Sequence, residues 1–395
     1  MGCGRWLSRL ALSAALMAAL GWLNRWLRTY GSLLHERCAS LQFVHFEKRQ
    51  MRAEMMMQAR SKSGFVSWMT LLVVAGAMSG CSWWEQKQAE KLAKSPETQA
   101  KVKALQEKTL KQLSYVEGGA FWLGDFGVLM DQQAKDSDAR PGPDAKPGEG
   151  LQFTIDTDNK PPKWVELDGF SIQQYKVTYG DFDVYAQANA LPAHPPKGDD
   201  DFHGIWQDSR TGDDVPAGVA WQQAKNYCLW LGKLTGLPFD LPTEAQWEFA
   251  ASNRINSYRQ PFPTKTGQIV GGKSHPTFEQ KKRMLGRHGA MYAIGRYEPS
   301  PLGLYDLVGN GFEWMNDWYA PDSYQHGPSK NPAGLATGAE KVLRGKSPEE
   351  DFSPFPHVMR YHKDPAKYQS KAGKALFPYI WDSFRCVVNR PVPAK

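Results

Sequence analysis

A chain of 395 residues with 41% hydrophobic and 12% aromatic side chains can bury a sizeable core, and its length allows two or three domains. Its formal charge of +7 comes entirely from the start: residues 1–81 hold ten of the 48 basic and three of the 41 acidic side chains, so 82–395 carry 38 of each. A folded part with no basic surplus argues against nucleic-acid binding. Fifteen Trp beside 36 Gly and 27 Pro argue against a helical bundle and for a loop-rich domain pinned by aromatics.

Two apolar stretches come first. Trp6 to Leu27 has basic flanks and reads as a membrane segment, or as part of a misassigned upstream segment 1–54, because Met55, Met56 and Met57 offer later starts. The short positive region Ala59–Lys62 then precedes an apolar run of fourteen residues, Phe65–Met78. A membrane span needs about 20 residues, so this run has the length of a signal-peptide core. Ser79 and Gly80 lead into Cys81. Apolar core, small residue, Gly and Cys together resemble the lipobox of bacterial lipoproteins; the competing reading is an uncleaved anchor with an incidental Cys. The lipobox implies that 55–80 is a lipoprotein signal peptide and that Cys81 is the lipidation site. It further implies a cell-envelope location through a lipid anchor. Ser82 favours the periplasmic face of the outer membrane over inner-membrane retention.

Residues 81–112 read as the lipidated Cys and a helical tether. Glu85–Lys111 is rich in helix formers, with one Pro and no Gly, and Val102, Leu105, Leu110 and Leu113 give only a thin apolar stripe. That pattern predicts a solvated spacer, with a coiled-coil partner helix as the alternative. The domain proper is expected over 113–393. Val116–Gly124 reads as an aromatic strand with a Gly turn, and Trp164–Ile172 alternates like one half-buried strand. Thr178 is placed to cap a helix over Tyr179–Ala188. An amphipathic helix follows over Trp221–Leu234, with Ala224, Tyr227, Cys228 and Leu231 on one face. Thr243 and Gln246 then form a capping box for a helix carrying Trp247 and Phe249 inward.

Several blocks occur in a fixed order: Glu117-Gly-Gly-Ala-Phe-Trp-Leu-Gly124, Gln174-Tyr-Lys-Val-Thr178, Val219-Ala-Trp221 with Tyr227-Cys228, and Leu241-Pro-Thr-Glu-Ala-Gln-Trp-Glu-Phe-Ala250. Gly303-Leu-Tyr-Asp-Leu-Val-Gly-Asn-Gly-Phe-Glu-Trp314, Val342-Leu-Arg-Gly345 and Phe384-Arg-Cys386 complete the series. Together they resemble the formylglycine-generating enzyme (sulfatase-modifying factor) family across roughly 115–390. The resemblance implies a single α/β (α+β) domain with little regular secondary structure, related to the C-type-lectin-like fold. It also implies a disulfide between Cys228 and Cys386, the only thiols left once the leader is removed and Cys81 is acylated in an oxidising compartment; the competing reading is two buried, independent thiols. Calcium is implied at Asp306, Gly309, Gly311 and Glu313, two carboxylates and two main-chain carbonyls offering hard oxygen ligands. The alternative there is a tight turn whose carboxylates bond backbone amides.

The catalytic members of the family bind Cu(I) through two Cys just beyond the segment corresponding to Gly345-Lys346-Ser347. This chain continues Pro348-Glu-Glu-Asp-Phe-Ser-Pro-Phe-Pro356 and has no Cys between 229 and 385, Met359 being the one soft side chain nearby. No copper is therefore expected, no catalytic residue is assigned, and whether the chain is an enzyme is left leaning to no. The expected role is a protein-binding or accessory module for an envelope protein or peptide, of the secretion-system accessory or immunity type. The alternative is a metal-dependent oxidase or hydroxylase modifying envelope proteins. Aromatics in Phe202–Trp206 and Phe352–Phe355 are candidate anchors, with core packing as the competing role. Asp156-Thr-Asp158-Asn159 reads as a turn, and His357 and His362 as surface or hydrogen-bonded side chains, rather than as metal ligands.

Overall fold

The computed structural model describes residues 85–127, 152–192, 210, 212–254, 262–284, 291–346, 357–365 and 381–394. The leader, Cys81, the loop 131–150, Phe202–Trp206 and 347–356 lie outside them. The chain divides into Met1–Ala89, of which only the helical residues 85–89 are described, and Glu90–Lys395.

The larger unit begins earlier than the aromatic strand. Helix α1 (Pro96–Lys111) starts where Ser95 accepts a hydrogen bond from Thr98 N at 3.2 Å and Pro96 presets the first turn. It was expected to stand in solvent, yet it packs against α2 (Tyr179–Ala188) and α3 (Trp221–Thr235). The thin stripe is enough because two Thr complete it: Thr98 and Thr109 are buried with Val102 and Leu105. Lys108 Nζ meets both carboxylate oxygens of Asp181 at 2.8 Å, and Gln106 donates to Leu234 O at 3.0 Å. The spacer is thus a docked helix of the domain.

Among the described residues, ten short strands make three sheets. β1 (Leu113–Val116), β4 (Phe170–Gln173), β10 (Val387–Val388) and β5 (Phe239–Asp240) form an antiparallel sheet in the order β1-β4-β10-β5. β2 (Gly119–Leu123) and β3 (Lys163–Leu167) form a two-stranded sheet among the described residues. β8 (Tyr361–Lys363), β7 (Lys341–Lys346), β6 (Gly311–Trp318) and β9 (Asp382–Ser383) form the third sheet, in which β6 and β9 run parallel. The single strand read over 164–172 is therefore two strands in different sheets. Alternation holds only in β3, where Val165 and Leu167 point inward and Glu166 outward; all four residues of β4 are buried. The chain bends at Asp168-Gly169, where a β-carbon on Gly169 would lie 2.4 Å from the Tyr115 hydroxyl.

The helices form where the sequence places them. Thr178 caps α2 through Asp181 N at 3.2 Å. α3 buries Ala224, Tyr227, Cys228 and Leu231 and ends at Gly236 in the left-handed region (φ 70). α4 (Glu244–Ala251) carries the expected box, Thr243 Oγ1 accepting from Gln246 N and Gln246 Oε1 from Thr243 N. A fifth helix, α5 (Phe278–Met284), lies between the second and third sheets in sequence.

Two large apolar clusters fill the core of the described residues, beside a smaller one of Trp122, Phe126, Phe153 and Val358. One surrounds α2 and α3 with Tyr179, Phe182, Tyr227, Trp314 and Phe384. The other lies under α4 with Phe121, Ile172, Trp247, Phe249 and Met315. Cys228 and Cys386 are bonded inside the first, with Cα atoms 5.6 Å apart and neither residue exposed. The crosslink ties α3 to the end of the chain across a sequence separation of 158. In the chain-entropy model such a loop contributes roughly 4–5 kcal/mol. Replacing both Cys by Ala is expected to lower unfolding free energy by several kcal/mol in guanidinium titrations; an unchanged midpoint would contradict this.

Candidate functional site

Among the described helices, α4 alone carries two carboxylates on its buried face. Glu244 and Glu248 are four residues apart, hence on one side of the helix, among Ala245, Trp247 and Phe249. Each is matched by a guanidinium. Arg344, on β7, donates from Nη1 to Glu244 Oε1 at 2.9 Å and from Nη2 to Glu248 Oε2 and to the carbonyl of His357. Arg360 clasps Glu244 with two bonds, Nε to Oε1 at 2.8 Å and Nη2 to Oε2 at 3.0 Å. It also donates to the carbonyls of Asp158 (2.7 Å) and Ala320 (3.2 Å). The last oxygen, Glu248 Oε1, accepts from Gly124 N at 2.7 Å. Burial pushes Glu244 upward, but Arg360 and Arg344 outweigh it and hold its pKa below the ordinary value. Asp317, which accepts from Glu244 N at 2.8 Å, is raised to about 7 by burial and by the Glu244 charge.

These groups are bound to one another and shut away from solvent, so the cluster clasps α4 to β7 and to the chain entering β8. His357 sits at its edge. Its ring lies between Phe153 and Phe262, with centroids 5.8 and 6.2 Å away, and neither nitrogen has a partner among the described residues. The residue is 1% exposed, contrary to the surface or hydrogen-bonded role expected for it. Burial, then the nearby Arg344 charge, lowers its pKa to about 3, and the imidazole is neutral. His362 does behave as expected, bonding Glu340 Oε2 at 2.7 Å while stacked on Tyr319.

A second buried charge cluster lies in the loop 306–313. Arg385 grips Glu313 through Nε to Oε2 at 2.6 Å and Nη2 to Oε1 at 2.9 Å. Its remaining donors go to the carbonyls of Gln173, Gln174 and Tyr305. Lys176 stands beside the pair, its Nζ 3.8 Å from Glu313 Oε1 and in reach of the carbonyls of Gly309, Asn310 and Gly311. Burial draws Lys176 down to about 8, which leaves it charged at neutral pH. Asp306 Oδ2 accepts from Gly295 N at 3.0 Å. The residues expected to bind calcium are thus brought together, but their oxygens face cationic side chains and amides already. A calcium ion does not fit among the three carbonyls while the ammonium lies there.

Copper fares no better on the donor set. The thiolates a Cu(I) site needs are not available, because the two Cys beyond residue 82 are bonded to each other. The sulfur of Met359 lies 3.8 Å from the Tyr361 hydroxyl, which donates to it. Asp156-Thr-Asp158-Asn159 is spent on the fold: Asn159 donates to Val358 O at 3.0 Å, and Asp158 Oδ2 accepts from Tyr319 at 3.1 Å. An open groove of about 800 Å³ lies between α2, α3 and β5, lined by Tyr185, Trp230, Leu237 and Phe239, with Leu229 exposed at its rim.

Three small sheets, a docked helical layer, one disulfide and buried ion pairs define a mixed α/β domain with modest regular structure. The sulfatase-modifying factor enzyme 1-like domain matches residues 98–389, and the chain belongs to that family. It is 33% identical over 132 residues to the formylglycine-generating enzyme of Streptomyces coelicolor, covering 33% of this chain and 40% of that one. It is 33% identical over 177 residues to the serine/threonine-protein kinase pkn1 of Chlamydia pneumoniae, covering 44% of this chain and 23% of the relative. An inactive C-alpha-formylglycine-generating enzyme 2 of Bos taurus is 35% identical over 107 residues, covering 26% of this chain and 32% of its own. The chain therefore spans less than half the length of each of these relatives. Among solved structures, PvdO from Pseudomonas aeruginosa aligns over 70% of this chain and 94% of its own, with a TM-score of 0.49 and 22% identity.

His357 provides a pH test of the clasp. Its folded pKa lies below the ordinary 6.5, so its contribution is complete above pH 6.5 and is lost as pH falls toward 3. Between pH 6.5 and about pH 4.5 the loss amounts to about 2–3 kcal/mol. Denaturant titrations across that range are expected to show a smaller acid loss for His357→Leu than for wild type. Equal slopes would mean that the imidazole is not buried neutral.

Proposed function

We propose that this chain is a lipid-anchored envelope protein whose sulfatase-modifying factor-like domain works as a non-catalytic module that binds another envelope protein or peptide. The observation that carries this reading is the fate of sulfur. From residue 82 onward the sequence contains two Cys, and both are joined in a buried disulfide. Copper-dependent oxidation of a substrate Cys needs a pair of free thiolates, and this domain has none to offer. Burial raises Glu248 and Asp317 beside α4 to about 7, but both side chains are buried and bonded within the cluster rather than open to a substrate.

A domain that retains its scaffold without the redox pair is under selection for a surface. The groove beside α3 offers one, with the aromatic side chains of Tyr185, Trp230 and Phe239 in its lining and the exposed Leu229, Asn226 and Lys233 around them; aromatics are enriched in interfaces. The Cys81 anchor would keep the module at the membrane, since two or more acyl chains hold a protein stably on a bilayer.

The reading is tested on the full chain purified from bacterial membranes in detergent. Affinity capture is expected to retain one envelope protein in stoichiometric amount, and Leu229→Asp at the groove rim to weaken that capture at least tenfold. Oxygen uptake with thiol peptides is expected to stay at background, and Cys81→Ser to release the protein from the membrane fraction. An aldehyde-bearing peptide product, or thiol-dependent oxygen uptake by protein carrying copper or iron, would establish the oxidase instead.

A further inference from the structure

The loop 306–313 is shaped around a cation, and the cation is a side chain. Lys176 lies in the connection between β4 and α2 and is buried completely. Its Nζ donates to the main-chain oxygens of Gly309 at 3.1 Å, Asn310 at 3.1 Å and Gly311 at 2.5 Å. An ammonium has three N–H donors, so these carbonyls satisfy it in full, while Glu313 supplies the facing negative charge at 3.8 Å.

The loop is held in this form independently of Lys176. The side chain of Asn310 bonds both main-chain groups of Tyr292, accepting from its N and donating to its O at 2.9 Å each. Asp306 (φ 60) and Asn310 (φ 62) take the left-handed conformation that Asp and Asn tolerate best. Gly311 takes it too (φ 93), and a β-carbon there would lie 2.5 Å from Met291 Sδ and 2.7 Å from Trp381 O. Three successive carbonyls are thereby aimed at one point.

We infer that Lys176 is the resident cation of this loop, a covalently attached substitute for a divalent ion, and that the domain folds and stays folded without calcium. Charge balance supports the assignment. Lys176 and Arg385 bring two positive charges to the cluster, and Asp306 and Glu313 two negative ones. A calcium ion beside Lys176 would leave two positive charges uncompensated in the interior, which is costly. It would also lack ligands, since it needs six to eight oxygens. Both Glu313 oxygens accept from Arg385 and the three carbonyls accept from Lys176. Occupancy by metal would require the lysine to leave a site in which nothing else replaces its bonds.

The test uses the full chain and calcium chloride as the probe. Wild-type protein is expected to hold no stoichiometric calcium by mass spectrometry of the metal content, and to melt at the same temperature in excess EGTA as in millimolar calcium. Lys176→Met keeps the bulk and removes the charge; it is expected to lower the melting temperature by roughly 10 °C, the effect of stranding a buried charge partner. One calcium per chain in the wild type, or a wild-type melting temperature that falls on chelation, would overturn the assignment. So would a Lys176→Met variant as stable as wild type. If that variant does not accumulate, the wild-type chelation measurement still decides.

Discussion

The Arg344 guanidinium is the constraint on which the domain depends. From β7 it joins both carboxylates of α4 and the carbonyl of His357, so one side chain fixes a helix, a strand and the chain entering β8. Arg360 repeats the arrangement from the other side, tying Glu244 to Asp158 and Ala320. Buried ion pairs are seldom stabilising compared with apolar packing of equal volume. Their contribution here is geometric. Most strands are only two to six residues long and most of the connections between them exceed a dozen residues, so backbone pairing alone leaves many arrangements open. Directional bonds from fixed forks select one of them, while Trp247 and Phe249 on the same short helix supply the apolar burial.

The two charge clusters use the same logic in different places. In each, carboxylates from one element meet guanidinium or ammonium groups from elements distant in sequence, and main-chain carbonyls take the donors left over. Arg385 and Cys386 are neighbours, so the C-terminal strand is fixed at once by the Glu313 pair and by the disulfide to α3. Within these two clusters the ionisable side chains are committed to the fold.

Helices and caps were legible in the sequence because their signals are local. Thr178, Thr243 with Gln246, and the apolar face of α3 each depend on residues a few positions apart, and all formed as read. The strands were less legible. The run from Trp164 to Ile172 alternates plausibly as one strand, and only the bend at Asp168-Gly169, set by a tertiary approach to Tyr115, divides it between two sheets. The docking of α1 was hidden because two of its four buried positions are Thr, which hydropathy counts as polar. Glu244 and Glu248 carried a readable sign, two acidic residues four apart inside an otherwise apolar helix. Lys176 carried none. A single Lys beside Tyr175 looks like any surface lysine until the fold brings three carbonyls to it from more than a hundred residues away.

Strand β10 sits in the interior of its sheet, paired with β4 on one side and β5 on the other, although it is formed by Val387 and Val388 near the end of the chain. Both of its neighbours precede it in sequence, β4 by more than two hundred residues, so the two outer parts of this sheet are synthesised before the strand that joins them. Until Val387 and Val388 are in place, β4 and β5 each lack the pairing that β10 supplies, and unpaired strand edges are the places where other chains are recruited.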